Sequence, residues 1–364
     1  MRAKLEDVCE RGSSNLRQSD VEGKNGDYPI YGASGYIGNV DFYHQESSYV
    51  AVVKDGAGVG RTTLLPAKSS VIGTMQYLLP KKDVLPEYLY YVVRHMHLEK
   101  YFSGATIPHI YFRDYKNEEF NIEPVERQSE IVSVLRKLET VISTRQKQLQ
   151  KLDDLVNARF VELFGDPEKN TLSWKEEELS EHLTVIGGYA FKSKQFSEEG
   201  IPVLRIGNIN SGFFKPVNLV YWEDDNTLNR YKMYPGDLVM SLTGTVGKDD
   251  YGNVCILGND YDVYYLNQRN AKLELQDTIN KYYLSMLLKF EPVKKKLTGI
   301  SRGVRQANIS NKDILNLMVP IPPIELQNQF ATFVEQTDKS KAAIQKALDE
   351  TQVLFESLMQ KYFD

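Results

Sequence analysis

One long stretch of this chain occurs twice, first from Pro124 to Phe164 and again from Pro323 to Phe363. Each copy starts with a proline-bounded turn and continues as an amphipathic segment. Gln128 in the first copy matches Gln327 in the second, and both lie four residues after the matched proline. The two copies therefore align without a gap at a separation of 199 positions. A chain with this repeat has to fold as a duplicated structure.

The apolar residues of each copy recur with a mean spacing of about 3.5 residues, which is the seam of a coiled coil. In the first copy they are Ile131, Leu135, Leu138, Ile142, Leu149, Leu152, Val156 and Leu163, and Arg145 and Arg159 fill the two positions that complete the alternating steps of four and three. A helix of this length extends about 60 Å at about 1.5 Å per residue and cannot bury its seam alone. The simplest partner is the other copy, paired antiparallel within the same chain. The alternative is two unrelated surface helices.

The segments that precede the two helices share a second repeated plan. Residues 1–123 and 165–322 are both rich in short β-like runs and glycine turns, and matching positions follow in the same order. Leu5 is matched with Leu179, Gly60 with Gly247 and Tyr88 with Tyr282. The fold class predicted is a duplicated α/β (α+β) architecture, with two β-rich domains separated by helices at 124–164 and 323–364.

Charge and composition limit the classes of function. The net charge is −5 with 41% hydrophobic residues, whereas a protein that binds nucleic acid tightly on its own usually has a basic excess. The two cysteines are too few for a disulfide framework and indicate a reducing compartment. Neither an apolar run long enough to span a membrane nor a secretory signal is recognisable. We therefore expect a cytoplasmic protein with no membrane partner.

Two glycine-containing loops at equivalent places are candidates for nucleic-acid contact. The first runs from Lys54 to Arg61, and its counterpart from Ser241 to Lys248 contains Thr243 and Thr245. Glycine permits close backbone approach, and the flanking cations suit phosphates or base edges. The first loop lacks the phosphate-binding order of a nucleotide loop and is followed by a β-like run. The alternative for both loops is a simple hairpin turn.

Planar polar side chains are concentrated in two further loops of the second half. One contains Arg302, Arg305, Gln306 and Asn308, and the other is the turn Asn267–Arg269. Arginine, glutamine and asparagine are the side chains that read guanine and adenine edges through paired hydrogen bonds. The alternatives are ordinary surface charges for the first loop and a hydrogen-bonded turn for the second. The basic run 294–296 is interpreted as a solvated helix end.

The sequence contains no recognisable catalytic constellation. None of the five histidines has metal-ligand spacing to cysteines or carboxylates, and no nucleophile elbow or zinc-protease motif is found. We therefore predict a chain that is not an enzyme, with no catalytic residue, no metal and no cofactor of its own.

Several motifs together resemble the specificity subunits of type I DNA restriction–modification systems. They are Gly200–Ile209, Leu266–Arg269, Gln306–Ser310 and Val319–Gln327 in the second half, with Thr106–Ile110 and Glu123–Gln128 as weaker matches in the first. The resemblance covers essentially the whole chain. The first half departs from the pattern because it lacks an equivalent of the Asn267–Arg269 turn.

The resemblance implies two target recognition domains, each reading one half of a split, asymmetric site in double-stranded DNA. It also implies two methyltransferase subunits and restriction subunits as partners, with S-adenosylmethionine, ATP and magnesium expected on those partners. The candidate DNA-binding residues are Lys54, Arg61, His109, Arg113, Lys192, Arg205, Asn208, Thr243, Thr245, Lys248, Asn267, Gln268, Arg269, Arg302, Arg305, Gln306 and Asn308.

Three other functions stay open on the sequence alone. They are an enzyme with a degenerate site, a coiled-coil adaptor that binds other proteins, and the specificity module of a methyltransferase-only complex. If the DNA-reading function holds, the paired helices are expected to act as a ruler that fixes the spacing between the two half-sites.

Overall fold

The computed structural model describes residues 1–104, 107–299 and 306–364, with the backbone alone described for Gln306. The chain divides into two compact units. The first unit contains Met1–Gln148 and Ile344–Asp364, and the second contains Leu149–Ala343. Each unit therefore combines one β-rich segment with part of each long helix.

The β-rich segment of the first unit leads into the first long helix. Its strands and helices, in chain order, are β1 (Arg2–Lys4), α1 (Leu5–Val8), β2 (Cys9–Ser13), β3 (Tyr28–Gly32), β4 (Gly35–Val40), β5 (Tyr49–Val53), β6 (Thr62–Leu65), β7 (Ser70–Val71), β8 (Met75–Pro80), α2 (Pro86–His95), α3 (Phe112–Tyr115), β9 (Glu119–Asn121) and α4 (Val125–Phe164).

Strand β5 is the centre of the first unit. It lies within the antiparallel sheet of order β2-β8-β5-β6, beside a second sheet of order β4-β3-β7 and the pair β1-β9. All five of its residues are buried. Val50 and Val52 pack with α2 in one core, while Tyr49 and Ala51 pack with Tyr77 in another. Burial on both faces explains why this strand is apolar throughout rather than alternating.

The strands and helices after α4 repeat this plan and are more numerous. They are β10 (Glu176–Glu178), β11 (Leu183–Gly187), β12 (Ile201–Leu204), α5 (Ile206–Ile209), β13 (Tyr221–Trp222), β14 (Lys232–Met233), β15 (Leu238–Ser241), β16 (Thr243–Thr245), β17 (Val254–Ile256), β18 (Tyr264–Leu266), β19 (Asn270–Leu275), α6 (Lys281–Lys289), α7 (Glu291–Thr298), β20 (Gln306–Asn308), α8 (Asn311–Leu315), β21 (Met318–Pro320) and α9 (Ile324–Phe363).

The sheets of the second unit match those of the first. The antiparallel sheet of order β11-β19-β15-β17 has β15 in the place of β5, and the sheet β13-β12-β18-β14 contains a parallel pair, β12-β18, like β3-β7. Strands β10 and β21 pair as β1 and β9 do. Leu238 and Met240 face the large core, and Val239 faces a separate cluster. The predicted duplicated α/β architecture is therefore confirmed.

The long helices α4 and α9 pair with each other inside each unit. Both contain 40 residues. In the first unit, Leu135 of α4 belongs to the same core as Phe355 and Met359 of α9. In the second unit, the rings of Phe160 and Phe330 lie 5.3 Å apart. Since each unit joins the beginning of one helix to the end of the other, the pairing is antiparallel, as predicted.

The polar residues that interrupt the helix seam have partners. The Arg145 guanidinium donates to the carbonyl of Ala347 and the hydroxyl of Thr351 in the first unit. In the second unit, Lys341 forms an ion pair of 2.6 Å with Asp153. Such satisfied polar positions are compatible with a helix seam, whereas unpaired ones would destabilise it.

The repeated glutamines explain why the two copies keep the same start. Gln128 is fully buried; its side-chain oxygen accepts from the Leu85 N–H at 2.9 Å, and its amide donates to two backbone carbonyls. Gln327 does the same for the Asn280 N–H at 2.8 Å. Each glutamine thus fastens the start of a long helix to the turn before α2 or α6.

Hydrogen bonds correct two of the pairs matched from sequence. The Gly60 N–H donates to the Val53 carbonyl, and the equivalent bond in the second unit comes from Gly252, not Gly247, to Ser241. The hydroxyl of Tyr88 donates to the last strand of its segment, and Tyr283, not Tyr282, does so in the second unit. The match of Leu5 with Leu179 is confirmed, since their N–H groups bond to Glu118 and Leu317.

Candidate nucleic-acid interface

The turn between β18 and β19 presents polar side chains on a fixed backbone. The Gln268 N–H donates to Tyr189 at 2.9 Å, and the carbonyl of Arg269 accepts from the Leu242 N–H at 2.8 Å. Asn267 accepts from the Arg269 N–H through its side chain. The side chains of Gln268 and Arg269 remain exposed. The turn is thus hydrogen-bonded, as the simpler alternative held, and it also presents planar polar groups outward.

Next to this turn lies a cavity of about 410 Å³. Its lining combines the turn with Arg205 and two aromatic side chains, Phe191 and Phe196. Arg205 donates to the carbonyl of Asn218 and is half-buried, so its guanidinium is held at the wall. Arginine beside aromatic rings is a combination suited to planar ligands.

Asn208 does not present its side chain to a ligand, contrary to its prediction as a DNA contact. It is 1% exposed, and its amide donates to the carbonyls of Lys215 and Val217 at 3.0 and 2.9 Å. Its oxygen accepts from the Arg205 N–H at 2.9 Å. With these groups engaged, Asn208 shapes the loop that carries Arg205.

A second cavity of about 350 Å³ shares Arg269 with the first and is also lined by Thr243 and Thr245. Strand β16 forms its wall and pairs antiparallel with β20, where Thr243 lies opposite Asn308 and Thr245 opposite Gln306. The Asn308 side chain is exposed. Thr245 and Arg269, which are 24 residues apart in the sequence, therefore line the same cavity. The backbone of Gln306 pairs with Thr245 of this wall.

The basic residues around α7 form a separate group. Lys248 lines a cavity of about 890 Å³ with Lys289 and Lys294. Lys294 was interpreted as part of a solvated helix end, but it is 9% exposed and donates to Asn253 at 2.6 Å as well as to Asp249. Burial lowers the pKa of Lys289. The predicted contact Lys192 is exposed before a short 3-10 turn. The predicted contacts Arg302 and Arg305 lie outside the described residues.

In the first unit, the glycine loop after β5 is joined to the segment before α3. The Gly56 N–H donates to Pro108 at 2.9 Å, and the Ile110 N–H donates to Lys54 at 2.9 Å. The Lys54 ammonium lies 3.0 Å from the carboxylate of Asp55, and the side chain of Arg61 is exposed. In the second unit, Gly244 lies opposite Ala307 in the same way.

Aromatic contacts accompany the predicted residues His109 and Arg113. The rings of His109 and Tyr111 lie 4.9 Å apart, and the Arg113 guanidinium lies 4.7 Å from the Tyr111 ring centre. Tyr111 is 45% exposed, so this small cluster is open to a ligand. Tyr111 was not among the predicted residues, although an aromatic residue two positions before an arginine is a signal that sequence reading could have used.

The two units differ at the turn that carries Asn267–Arg269. The Lys54 N–H donates to the Thr74 carbonyl, and in the second unit the Leu242 N–H donates to the Arg269 carbonyl at the equivalent place. Thr74 is therefore the structural counterpart of Arg269, and Ile72 that of Asn267. Ile72 is 6% exposed and packs with Ile30 and Val40. The predicted lack of a polar equivalent in the first half thus has a structural explanation: a hydrophobic cluster occupies the place.

Among the described residues, one group of possible metal ligands is formed by Glu177, Glu181 and His182, whose ligand atoms lie within 4.8 Å of one another. Both ring nitrogens of His182 are already engaged, by Thr278 and by Glu177, each at 2.8 Å. A metal needs a free ring nitrogen. The geometry is therefore that of a buried hydrogen-bonded pair.

Comparison with known proteins identifies the family. The family model described as the type I restriction modification DNA specificity domain matches residues 1–154 and 172–351. The chain belongs to this family of DNA specificity subunits. Such subunits are the non-catalytic members of their systems, which agrees with the prediction that the chain is not an enzyme.

Individual relatives are distant but extensive. The type I restriction enzyme MjaVIII specificity subunit of Methanocaldococcus jannaschii is 27% identical over 331 residues, covering 82% of this chain and 76% of that subunit. The EcoKI specificity subunit of Escherichia coli K12 is 25% identical over 188 residues, covering 48% of this chain and 39% of that subunit.

Two solved structures share the fold. The crystal structure of the type I restriction–modification S subunit from M. genitalium superposes with a TM-score of 0.64 at 16% identity, covering 100% of this chain and 96% of that one. A structure from a study of complex assembly and conformational transition of the type I system gives 0.57 at 15% identity, covering 100% and 97%. No helix in the described part of the chain has the length and apolarity that a membrane crossing requires.

Proposed function

We propose that the chain reads a bipartite, asymmetric site in double-stranded DNA. Each β-rich segment would read one half-site, whose base sequence is called a word below. Residues 1–123 and 165–322 would be the two target recognition domains, with helices at 124–164 and 323–364 as the spacer. The observation that carries the proposal is that the same framework hydrogen bonds recur in both units, whereas the side chains on the loops differ. The glutamines at 128 and 327 make the same three kinds of hydrogen bond.

The loops have the chemistry that DNA reading needs. In the second unit, Arg205, Gln268 and Arg269 surround one cavity and offer donors and acceptors in planar arrays. In the first unit, Arg61 and Arg113 are exposed, and His109 pairs with Asp55 of the glycine loop. The difference between the two sets supports two different words rather than a palindrome.

The partners proposed are two methyltransferase subunits, with restriction subunits completing the complex in the cytoplasm. S-adenosylmethionine, ATP and magnesium would be held by those partners. The net charge of −5 supports shared binding, since contact with phosphates is dominated by cationic groups. We expect weak DNA binding by the chain alone and much tighter binding with methyltransferase partners. Nanomolar affinity of the isolated chain at physiological salt would contradict this.

Methylome sequencing tests the proposal directly. The chain is co-expressed with methyltransferase partners in a host that lacks other adenine methylation. The expected result is one methylated motif made of two different short words with a fixed gap. Selection of random duplexes by the purified complex is the independent check, and recovery of no sequence preference in both measurements would overturn the proposal.

The spacing of the two words remains a prediction of the ruler hypothesis. Insertion of four residues near Leu149 lengthens a helix by about 6 Å, at about 1.5 Å per residue. The preferred gap should change while both words persist. The same methylome measurement reads the gap, and an unchanged gap would contradict the ruler.

A further inference from the structure

The cavity of about 350 Å³ in the second unit contains polar atoms that lack partners. Thr243 Oγ1 and Asn210 Oδ1 are buried, and neither has a hydrogen-bond partner among the described residues. Both residues line this cavity. A buried polar group without a partner costs about 1–3 kcal/mol, so native proteins retain few of them. Two such atoms in one cavity indicate a place where a ligand supplies the missing bonds.

The rest of the cavity wall fixes the position of these atoms. The Asn210 amide donates to the carbonyl of Asp250 at 2.8 Å, which leaves its oxygen as the unpaired atom. The Asp250 carboxylate accepts from the Thr245 N–H at 2.7 Å. A Cβ added to Gly244 would lie 2.2 Å from that carboxylate, so β16 needs glycine here. The wall is thus held by bonds that do not use the two unpaired atoms.

The exposed side chain of Arg269 belongs to the lining of the cavity. It also lines the larger cavity beside it. Among the residues described, no side-chain hydrogen bond or ion pair restrains its guanidinium. A shift of this side chain would therefore break no hydrogen bond or ion pair between described residues.

We infer that this cavity reads one base of the second DNA word, with Asn210 and Thr243 as specificity-determining residues, and that the base is one that presents an amino group. The inference rests on the proposed function. Asn210 Oδ1 can only accept, and among base edges in the major groove an amino donor is offered by adenine and cytosine. The Thr243 hydroxyl can donate or accept, so it complements the neighbouring atom of the same base edge.

Asn210 could not be chosen from sequence, because nothing in its neighbourhood marks it as a site. Thr74 and Asn270 also have a buried unpaired atom. Neither belongs to the lining of this cavity, and neither is included in the inference. The assignment depends on the cavity and the unpaired atoms together.

The test uses Thr243→Val, which keeps the shape of the side chain and removes the hydroxyl. The full chain is produced with its methyltransferase partners, and base preferences are measured by methylome sequencing and by selection from random duplexes. The wild-type second word should contain one position whose base preference depends on the Thr243 hydroxyl. In Thr243→Val the preference at that position should fall about tenfold, while the first word keeps its sequence.

Asn210→Leu is the second variant, and Thr332→Val is the matched control. Thr332 is an exposed threonine on α9 of the same unit, whose hydroxyl donates to Asn328 within the helix. Asn210→Leu should relax the same position, whereas the control should change neither word. Because Thr243→Val removes an unpaired hydroxyl, its Tm should equal or exceed that of the wild type. A purely structural hydroxyl would give a lower Tm and unchanged base preferences.

The outcomes separate the inference from the proposed function. A bipartite wild-type motif whose preferences are unchanged in Thr243→Val overturns the inference alone and means that the cavity holds only solvent. An equal loss on every sequence also overturns it, since that result marks a contact without base selection. Absence of a bipartite motif in the wild type overturns the proposed function itself.

Discussion

The first and second units share a framework and differ in what they present on it. Thr74 and Arg269 occupy the same place, defined by the same backbone bond to the residue after the central strand. In the second unit that place carries an exposed guanidinium beside two cavities. In the first unit its neighbour Ile72 is buried in a hydrophobic cluster. The conserved backbone bonds therefore do not determine the chemistry of the surface.

The comparison also separates residues that hold the framework from those available to a ligand. The buried glutamines, the tyrosine hydroxyls and the first strands of the two segments are matched between the units. The polar turn, the cavity at β16 and the aromatic cluster at Tyr111 are not matched. Substitutions at matched positions should thus give similar effects in both units, and substitutions at unmatched positions should affect one word only.

The largest effect on stability is expected from Gln128→Leu and Gln327→Leu. Each change removes three hydrogen bonds and leaves a partly buried N–H unpaired, which should cost about 3 kcal/mol. The effect of Gln327→Leu should be slightly smaller, since one of its bonds is long, at 3.4 Å. Chemical denaturation monitored by circular dichroism measures both.

Gln150→Leu is the control for these variants, because Gln150 is an exposed glutamine of α4 whose amide donates to Asp154 within the same helix. It should change the free energy of unfolding by about 0.5 kcal/mol or less. If only one of the two substitutions lowered the free energy of unfolding, the two glutamines would not have equivalent structural roles.

Arg269→Ala sharpens the comparison at the turn itself. We expect a loss of about 1–3 kcal/mol in binding of the cognate site and a relaxed second word, since a guanidinium that pairs with a base selects it. Thr74→Ala at the equivalent place should leave both words intact. Competition binding of the purified complex with cognate and altered duplexes gives both values. Uniform weakening of all duplexes by Arg269→Ala would instead identify a phosphate contact.

Tyr88→Phe and Tyr283→Phe should have smaller and equal effects. The two hydroxyls donate to Asn121 and Pro320 at 2.9 and 2.6 Å, and burial raises the pKa of both tyrosines. Loss of one such bond should cost about 1 kcal/mol. Thermal unfolding measures the difference, and Tyr36→Phe, at an exposed tyrosine, is the control.

The smallest effect concerns pH. Hydrogen bonds from Lys175, and then from His182, lower the pKa of Glu177. A lowered pKa means that the charged carboxylate stabilises the fold above its unfolded pKa and that this contribution is lost as pH falls. The first unit has Ala3 at the matched place, so Glu177→Ala makes the second unit resemble the first. The stability difference from wild type should shrink as pH falls from about 6 to about 3.

A pH-independent difference between wild type and Glu177→Ala would mean that the side chain acts through packing alone. Glu178→Ala, on the exposed neighbouring position of β10, is the control for the loss of a negative charge.

The repeat and the long helices could be predicted because their signal is periodic and local. The seam positions of α4 set the pairing, and the prolines and glutamines set its start. Loop equivalences were less accessible. Gly60 was matched with Gly247 because the loop after β15 is longer than the loop after β5, and only the bonds to Ser241 and Val53 reveal that Gly252 is the counterpart.

Individual site residues are harder to predict from the sequence than the loop equivalences, because residue type does not indicate burial. Asn208 and Asn267 are both asparagines that line the same cavity, yet the side chain of Asn208 is buried against backbone carbonyls whereas Asn267 is only partly buried. Lys294 belongs to a basic run but is buried. Asn210 became visible only when its unpaired oxygen and the cavity were seen together.

The bond from the Gly73 N–H to Leu16 in the first unit recurs as the bond from Gln268 to Tyr189 in the second. Main-chain atoms alone form it, so glycine and glutamine serve equally well as the donor. Because these bonds do not use side chains, the loop residues can change without destabilising the framework. New DNA words would then arise by exchange of whole loop inserts between interchangeable halves, with the anchoring residues inherited intact.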